Sequence, residues 1–165
     1  MTTVTKLDTF FGNQLKSDIQ DVLITKDSNG RYSLFGKYSI VPTNIGYHKV
    51  VSGTMEYPIE FVQLKNAVTW CTLVNANKHK EAKRVVDLDL RLCSIDFDLT
   101  VHRNILKKTT ESDAKWVYII KVQEDIFKRR VIVEEINSYI NSSKTIQHRK
   151  FDQNKSPILS LCDKY

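Results

Sequence analysis

The chain has 165 residues, 41% of them apolar and 27% charged, with a formal net charge of +6. That length suits one domain built on a single core, and the composition argues against a disordered chain or a membrane protein. The positive balance leans towards anionic partners, but 19 acidic residues are interleaved with the 25 basic ones, so the bias is mild. Met1 to Leu7 lacks the charged-then-apolar layout of a secretory leader, and no apolar run approaches the roughly 18 residues of a membrane span, so the expected compartment is the cytoplasm, with no membrane partner. Cys71, Cys93 and Cys162 are odd in number and far apart, and read as free thiols in a reducing environment.

In chain order, Thr5 to Ile24 carries Leu7, Phe10, Phe11, Leu15, Ile19, Val22 and Leu23 at helical spacing, with Asp8 three residues after a capping Thr5. This predicts an amphipathic helix over 5–24, stopped by the turn Asp27-Ser28-Asn29-Gly30. The period then changes to two. Tyr32, Leu34, Tyr38 and Ile40 predict one strand, and Tyr47, Val51, Met55 and Tyr57 a second, joined through Pro42 to Gly46. Gly36 and Gly53 are candidate bulges or bends within this small antiparallel hairpin or meander over 31–57, which Pro58 closes.

From Ile59 to Ser156 there is no glycine and no proline, which predicts long continuous helices over 61–141. The first runs from Phe61 to Val74, with Trp70 on its flank and a break at Asn75 to Asn77. Residues 86–101 can be read two ways. Val85, Leu88, Leu92, Ile95, Leu99 and Leu106, with His102 in the remaining step, form a helical seam, whereas Val86, Leu88, Leu90 and Leu92 also alternate with Asp87, Asp89 and Arg91 as a strand would. A hairpin would need a turn at Cys93 and Ser94, and neither residue favours positive φ, so a single helix from Lys80 to Lys107 is the better reading. Two adjacent apolar stripes then predict a helix buried on a wide face, with Asp87 to Arg91 and Asp98 to His102 as supporting pairs. Ile119, Val122, Ile126, Val133, Ile136 and Ile140 predict a further helix over 111–141, interrupted by Arg129 and long enough to pack on a second chain, although its β-branched clusters would also allow a kink or a strand. Residues 143–165 are polar and basic and predict a loosely ordered tail.

No spacing of reactive residues stands out. Asp87, Asp89, Asp96 and Asp98 would converge like the carboxylates of a metal-dependent nuclease only if this segment were a hairpin. His48, His79, His102 and His148 share no ligand spacing with one another or with a cysteine. No nucleophile elbow or phosphate-cradling glycine loop is present. This leaves no catalytic, metal or cofactor-binding residue to name, and no small-molecule substrate. Lys78, Lys80, Lys83, Arg84, Lys128, Arg129 and Arg130 are candidate nucleic-acid contacts, if they share a face. Arg31, Tyr32, Phe35, Lys37, Tyr38, Tyr47 and Lys49 interleave rings and charges, as either a stacking surface or ordinary strand packing.

The stretch YSLFGKYSIVPTNIGYHKVV from Tyr32 to Val51, followed by LKNAVTWCTLVNA from Leu64 to Ala76, resembles small uncharacterised proteins of marine tailed bacteriophages, and the similarity extends to about Leu106. The resemblance implies a phage origin, and hence a place in the infected host cell, but no assigned activity. The reading as a whole is an α-rich α+β domain over 1–142, homo-oligomeric through its long helices, acting as a non-enzymatic interaction or assembly protein. Nucleic-acid binding is the first alternative and a metal-dependent nuclease the second.

Overall fold

The computed structural model describes residues 1–12, 15, 19 and 21–141. Six strands, β1 (Thr3–Lys6), β2 (Leu23–Lys26), β3 (Tyr32–Leu34), β4 (Tyr38–Pro42), β5 (His48–Ser52) and β6 (Met55–Phe61), form one antiparallel sheet in sequential order. Four helices accompany them: α1 (Leu7–Phe10), α2 (Leu64–Asn75), α3 (His79–Lys108) and α4 (Ser112–Ser138). The class is α+β and helix-rich, as the pattern of periods predicts. The expected tail over 143–165 lies outside the described residues.

The N-terminal helix over 5–24 is corrected. Among the described residues only Leu7–Phe10 is helical there, and Gly12 sits at φ 71 directly after the Phe11 cap, the left-handed conformation that ends a helix. The flanking Thr3-Val4-Thr5 and Ile24-Thr25 are β-branched and pair with each other, Val4 opposite Thr25 and Thr5 opposite Ile24. The apolar spacing is nevertheless real, since Leu7, Phe11 and Leu15 are all buried in the core.

The sheet is also larger than the two strands over 31–57. Phe35 and Gly36 both take positive φ, with the Lys37 amide donating to the Leu34 carbonyl at 3.1 Å, so this is a hairpin turn between β3 and β4 rather than a bulge within one strand. Gly53, at φ 61, lies in the two-residue turn Gly53–Thr54 that joins β5 to β6. The Asp27–Gly30 turn exists as read, with Asp27 Oδ1 accepting from the amides of Asn29 and Arg31, both at 2.9 Å, but it joins β2 to β3 rather than ending a helix. Pro58 does not close the sheet. It lies inside β6, the last strand of the sheet among the described residues, and an edge strand is where a missing N–H is tolerated.

Helix α2 is buried almost all round, between β4–β6 on one side and α3 on the other. Trp70, expected on its flank, is buried against Tyr57, Phe61 and Tyr38, with ring centroids 5.0, 6.2 and 6.4 Å away. Burial pushes the Cys71 thiol up to about 12, so it packs as a small apolar residue and not as a nucleophile. The α2 helix has no capping side chain at Gln63. Its N-terminal end is served instead by Asp89 of α3, whose buried carboxylate accepts from the Val62 amide at 2.7 Å, the Gln63 amide at 3.3 Å and Asn66 Nδ2 at 2.7 Å.

Two outcomes are expected. Asp89→Ala strands two backbone donors and one amide, and should destabilise the protein by about 3 kcal/mol in urea unfolding without changing the m-value. On β5, burial lowers the pKa of His48 below 6.5, partly opposed by the negative charge of Asp89. Because the folded chain then takes up this proton less readily than the unfolded chain, the contribution to stability is whole above about pH 6.5 and declines as pH falls below it. The drop in melting temperature between pH 7.5 and 5.5 should shrink in His48→Gln.

Candidate functional site

The segment 86–101, open to two readings in the sequence, is helical throughout. At thirty residues α3 is about 45 Å long, and its contribution to the main core ends near Ile95. Beyond that point, among the described elements, it packs on α4, which itself makes substantial contact with no other described element. Leu99, Ile119 and Val122 are buried between the two helices, apart from the main core. The far halves of α3 and α4 therefore form a two-helix arm one layer thick.

Three polar pairs set the antiparallel register of this arm. Arg84 Nε donates to Glu135 Oε1 at 2.7 Å, Arg129 Nε to Asp96 Oδ1 at 2.7 Å, and His102 Nδ1 lies 2.7 Å from Asp125 Oδ2. The Arg84 guanidinium holds Glu135 below the usual carboxylate range, while burial and the neighbouring Glu135 push Tyr139 up to about 12. The helical seam of the sequence is present, with Arg129 crossing it to reach Asp96. The expected Asp98–His102 pair is not formed, because His102 turns inward to the buried Asp125 on the other helix.

The four candidate nuclease carboxylates do not converge. Asp89 points to the start of α2, Asp96 to Arg129, and Asp87 lines a groove beside β6. Among the described residues no group of three or more His, Cys, Asp or Glu is placed to hold a metal ion. The candidate nucleic-acid contacts fall into two groups. Lys78, Lys80, Lys83 and Arg84 lie at the start of α3, where Arg84 bonds Glu135, and Lys128, Arg129 and Arg130 lie on α4, where Arg129 bonds Asp96, on the order of 20 Å along the axis. Arg84 and Arg129 are held in ion pairs. Arg129 and Arg130 do join a third arginine that sequence reading missed: with Arg103, and with Asp96 and Glu134, they line an open groove of about 780 Å³ between the two helices. Tyr38 is buried, so the ring-and-charge stretch around it is largely strand packing, with Lys26 over the Tyr32 ring.

The expectation of a helix buried on a wide face is corrected. On α3, Leu90, Phe97 and Val101 are exposed, Leu90 by 58% and Phe97 by 69%. They share one face at i, i+7 and i+11, and each stands two positions from a buried residue, about 200° round the helix. On α4, Val117, Phe127 and Val131 are exposed in the same relation to Ile119, Asp125 and the half-buried Val133. Helix α3 thus has one apolar face turned inward and a second turned outward, and α4 adds the exposed Val117 and Val131. The sequence signal was there, as the second of the two stripes.

No protein-family model, curated protein or solved structure matches this chain. No helix among the described residues is long and apolar enough to cross a membrane.

The His102–Asp125 pair should behave as a register device rather than a source of stability. Replacing either residue alone by Leu is expected to cost about 2 kcal/mol in thermal or urea unfolding, and replacing both to return the protein to within about 1 kcal/mol of wild type.

Proposed function

We propose that this protein is a non-enzymatic interaction or assembly protein that associates with copies of itself through α3 and α4. The observation that carries this reading is the outward apolar ridge Leu90–Phe97–Val101 on α3, with Val117 and Val131 exposed on α4, in an arm that has a single layer of packing among the described elements. Scattered exposed apolar residues need no explanation, but residues repeated along one helix face are the pattern by which helices recruit other helices. A phage origin, as the resemblance of Tyr32–Val51 and Leu64–Ala76 implies, fits a small self-assembling protein acting inside the infected cell.

Size-exclusion chromatography with light scattering tests the proposal. A mass of two or more chains is expected at high concentration, and a clean monomer would overturn it. A second reading, nucleic-acid binding, is favoured by the groove holding Arg103, Arg129 and Arg130. It predicts oligonucleotide binding that weakens as salt rises, and Arg103→Glu should weaken it at least tenfold.

A further inference from the structure

We infer that two copies of this chain pair through the outer face of α3, antiparallel and about a two-fold axis, so that the product is a closed dimer. This rests on the reading above and narrows it to one interface. Asp87, Leu90, Ser94, Phe97, Val101 and Asn104 follow one another at alternating spacings of three and four, and all six are exposed. That is the spacing of a coiled-coil seam. The inner seam of the same helix, Val85, Leu88, Leu92, Ile95 and Leu99, keeps the same spacing on the opposite side, where α2 and α4 cover it. Helix α3 therefore carries two seams of one kind, and among the described elements only the inner one is filled.

The occupant of the outer seam is a second copy because this face is complementary to itself. A two-fold axis at the height midway between Ile95 and Asp96 sets Leu90 against Val101 of the other copy, and Ser94 against Phe97, a small side chain against a large one. Asp87 then meets Asn104, and Lys83 and Lys108 continue the spacing at the two ends, where their long stems keep the charges in water. Charge fits the same register. Arg91 and Asp98 are exposed on one flank of the seam, and the antiparallel pairing brings each beside the other's counterpart in the second copy, twice by symmetry. Moving the register by one heptad in either direction instead sets Arg91 against Arg91 or Asp98 against Asp98, and a parallel pairing sets Asp87 against Asp87, so like charges oppose the alternatives. The same face is used by both copies, so association stops at two. A seam from Asp87 to Asn104 is about 26 Å long, at the small end of specific interfaces, so the dimer should come apart on dilution.

Charge reversal in the full chain tests the interface, at low salt so that the flanking pairs are not screened. By light scattering over a dilution series, the wild type is expected to approach twice the 19.2 kDa of one chain and to go no higher. Arg91→Asp and Asp98→Arg each place like charges at both flanking contacts and should weaken the dimer about tenfold, whereas the two together restore opposite charges and should return its dissociation constant to within about threefold of wild type. Positions 91 and 98 stand about 10 Å apart along one helix, so a rescue must act between copies. Phe97→Glu should leave a single chain at every concentration, and because Phe97 is 69% exposed, its melting temperature should match that of the wild-type monomer. If the wild type associates but the double reversal is no tighter than either single one, if Phe97→Glu keeps the dimer, or if the mass exceeds two chains, the α3 interface is wrong while self-association stands. A monomeric wild type removes both.

Discussion

The carboxylate of Asp89 is the point where the three parts of this fold meet. It belongs to α3, it takes up the amides where β6 gives way to α2, and it holds Asn66 one turn into α2. A buried carboxylate tolerates few alternatives to its hydrogen-bonding donors, so this contact sets the rotation of α3 about its own axis. With Asp89 turned inward, Val85, Leu88 and Leu92 face the core, and Leu90, two positions from both Leu88 and Leu92, must face out. The exposed ridge is the other side of the same rotation.

From there the architecture follows by packing. The α2 helix fills the space between the sheet and α3, and its Trp70 gathers Tyr38, Tyr57 and Phe61 around it. Beyond Ile95 the sheet and α2 no longer reach α3, and α4 is its neighbour among the described elements. Leu99, Ile119 and Val122 supply a narrow apolar strip there, while His102–Asp125 and Asp96–Arg129 hold the height of one helix against the other. Polar pairs of this kind add little net stability but discriminate against slipped registers. They also hold the rotation of α3, which keeps Leu90, Phe97 and Val101 turned outward.

Much of this was legible in the sequence where a signal is local. The run without Gly or Pro and the seam from Val85 to Leu106 identify α3, even across residues that also alternate as a strand. The N-terminal region was misread because Leu7, Phe11 and Leu15 do keep helical spacing, while Gly12 and the β-branched Thr3–Thr5 and Ile24–Thr25, which decide the backbone, carry less weight in a periodicity count. Gly36 and Gly53 were visible, but a bulge and a tight turn both call for glycine, and only the pairing of Leu34 with Tyr38 tells them apart. The outward ridge of α3 was present as a second stripe, yet a stripe does not say whether it meets core or solvent. Asp89 could not be singled out from Asp87, Asp96 and Asp98, since its partners lie more than twenty positions away.

The central claim is that the arm of α3 and α4 is a surface of association and the sheet is the body that carries it. Hydrogen exchange measured at low and high protein concentration addresses it most directly. The account predicts that amides from Leu90 to Val101 gain protection as concentration rises while those of β3–β5 and α2 keep theirs. Protection in the arm that is independent of concentration, or a gain confined to the sheet, would contradict it.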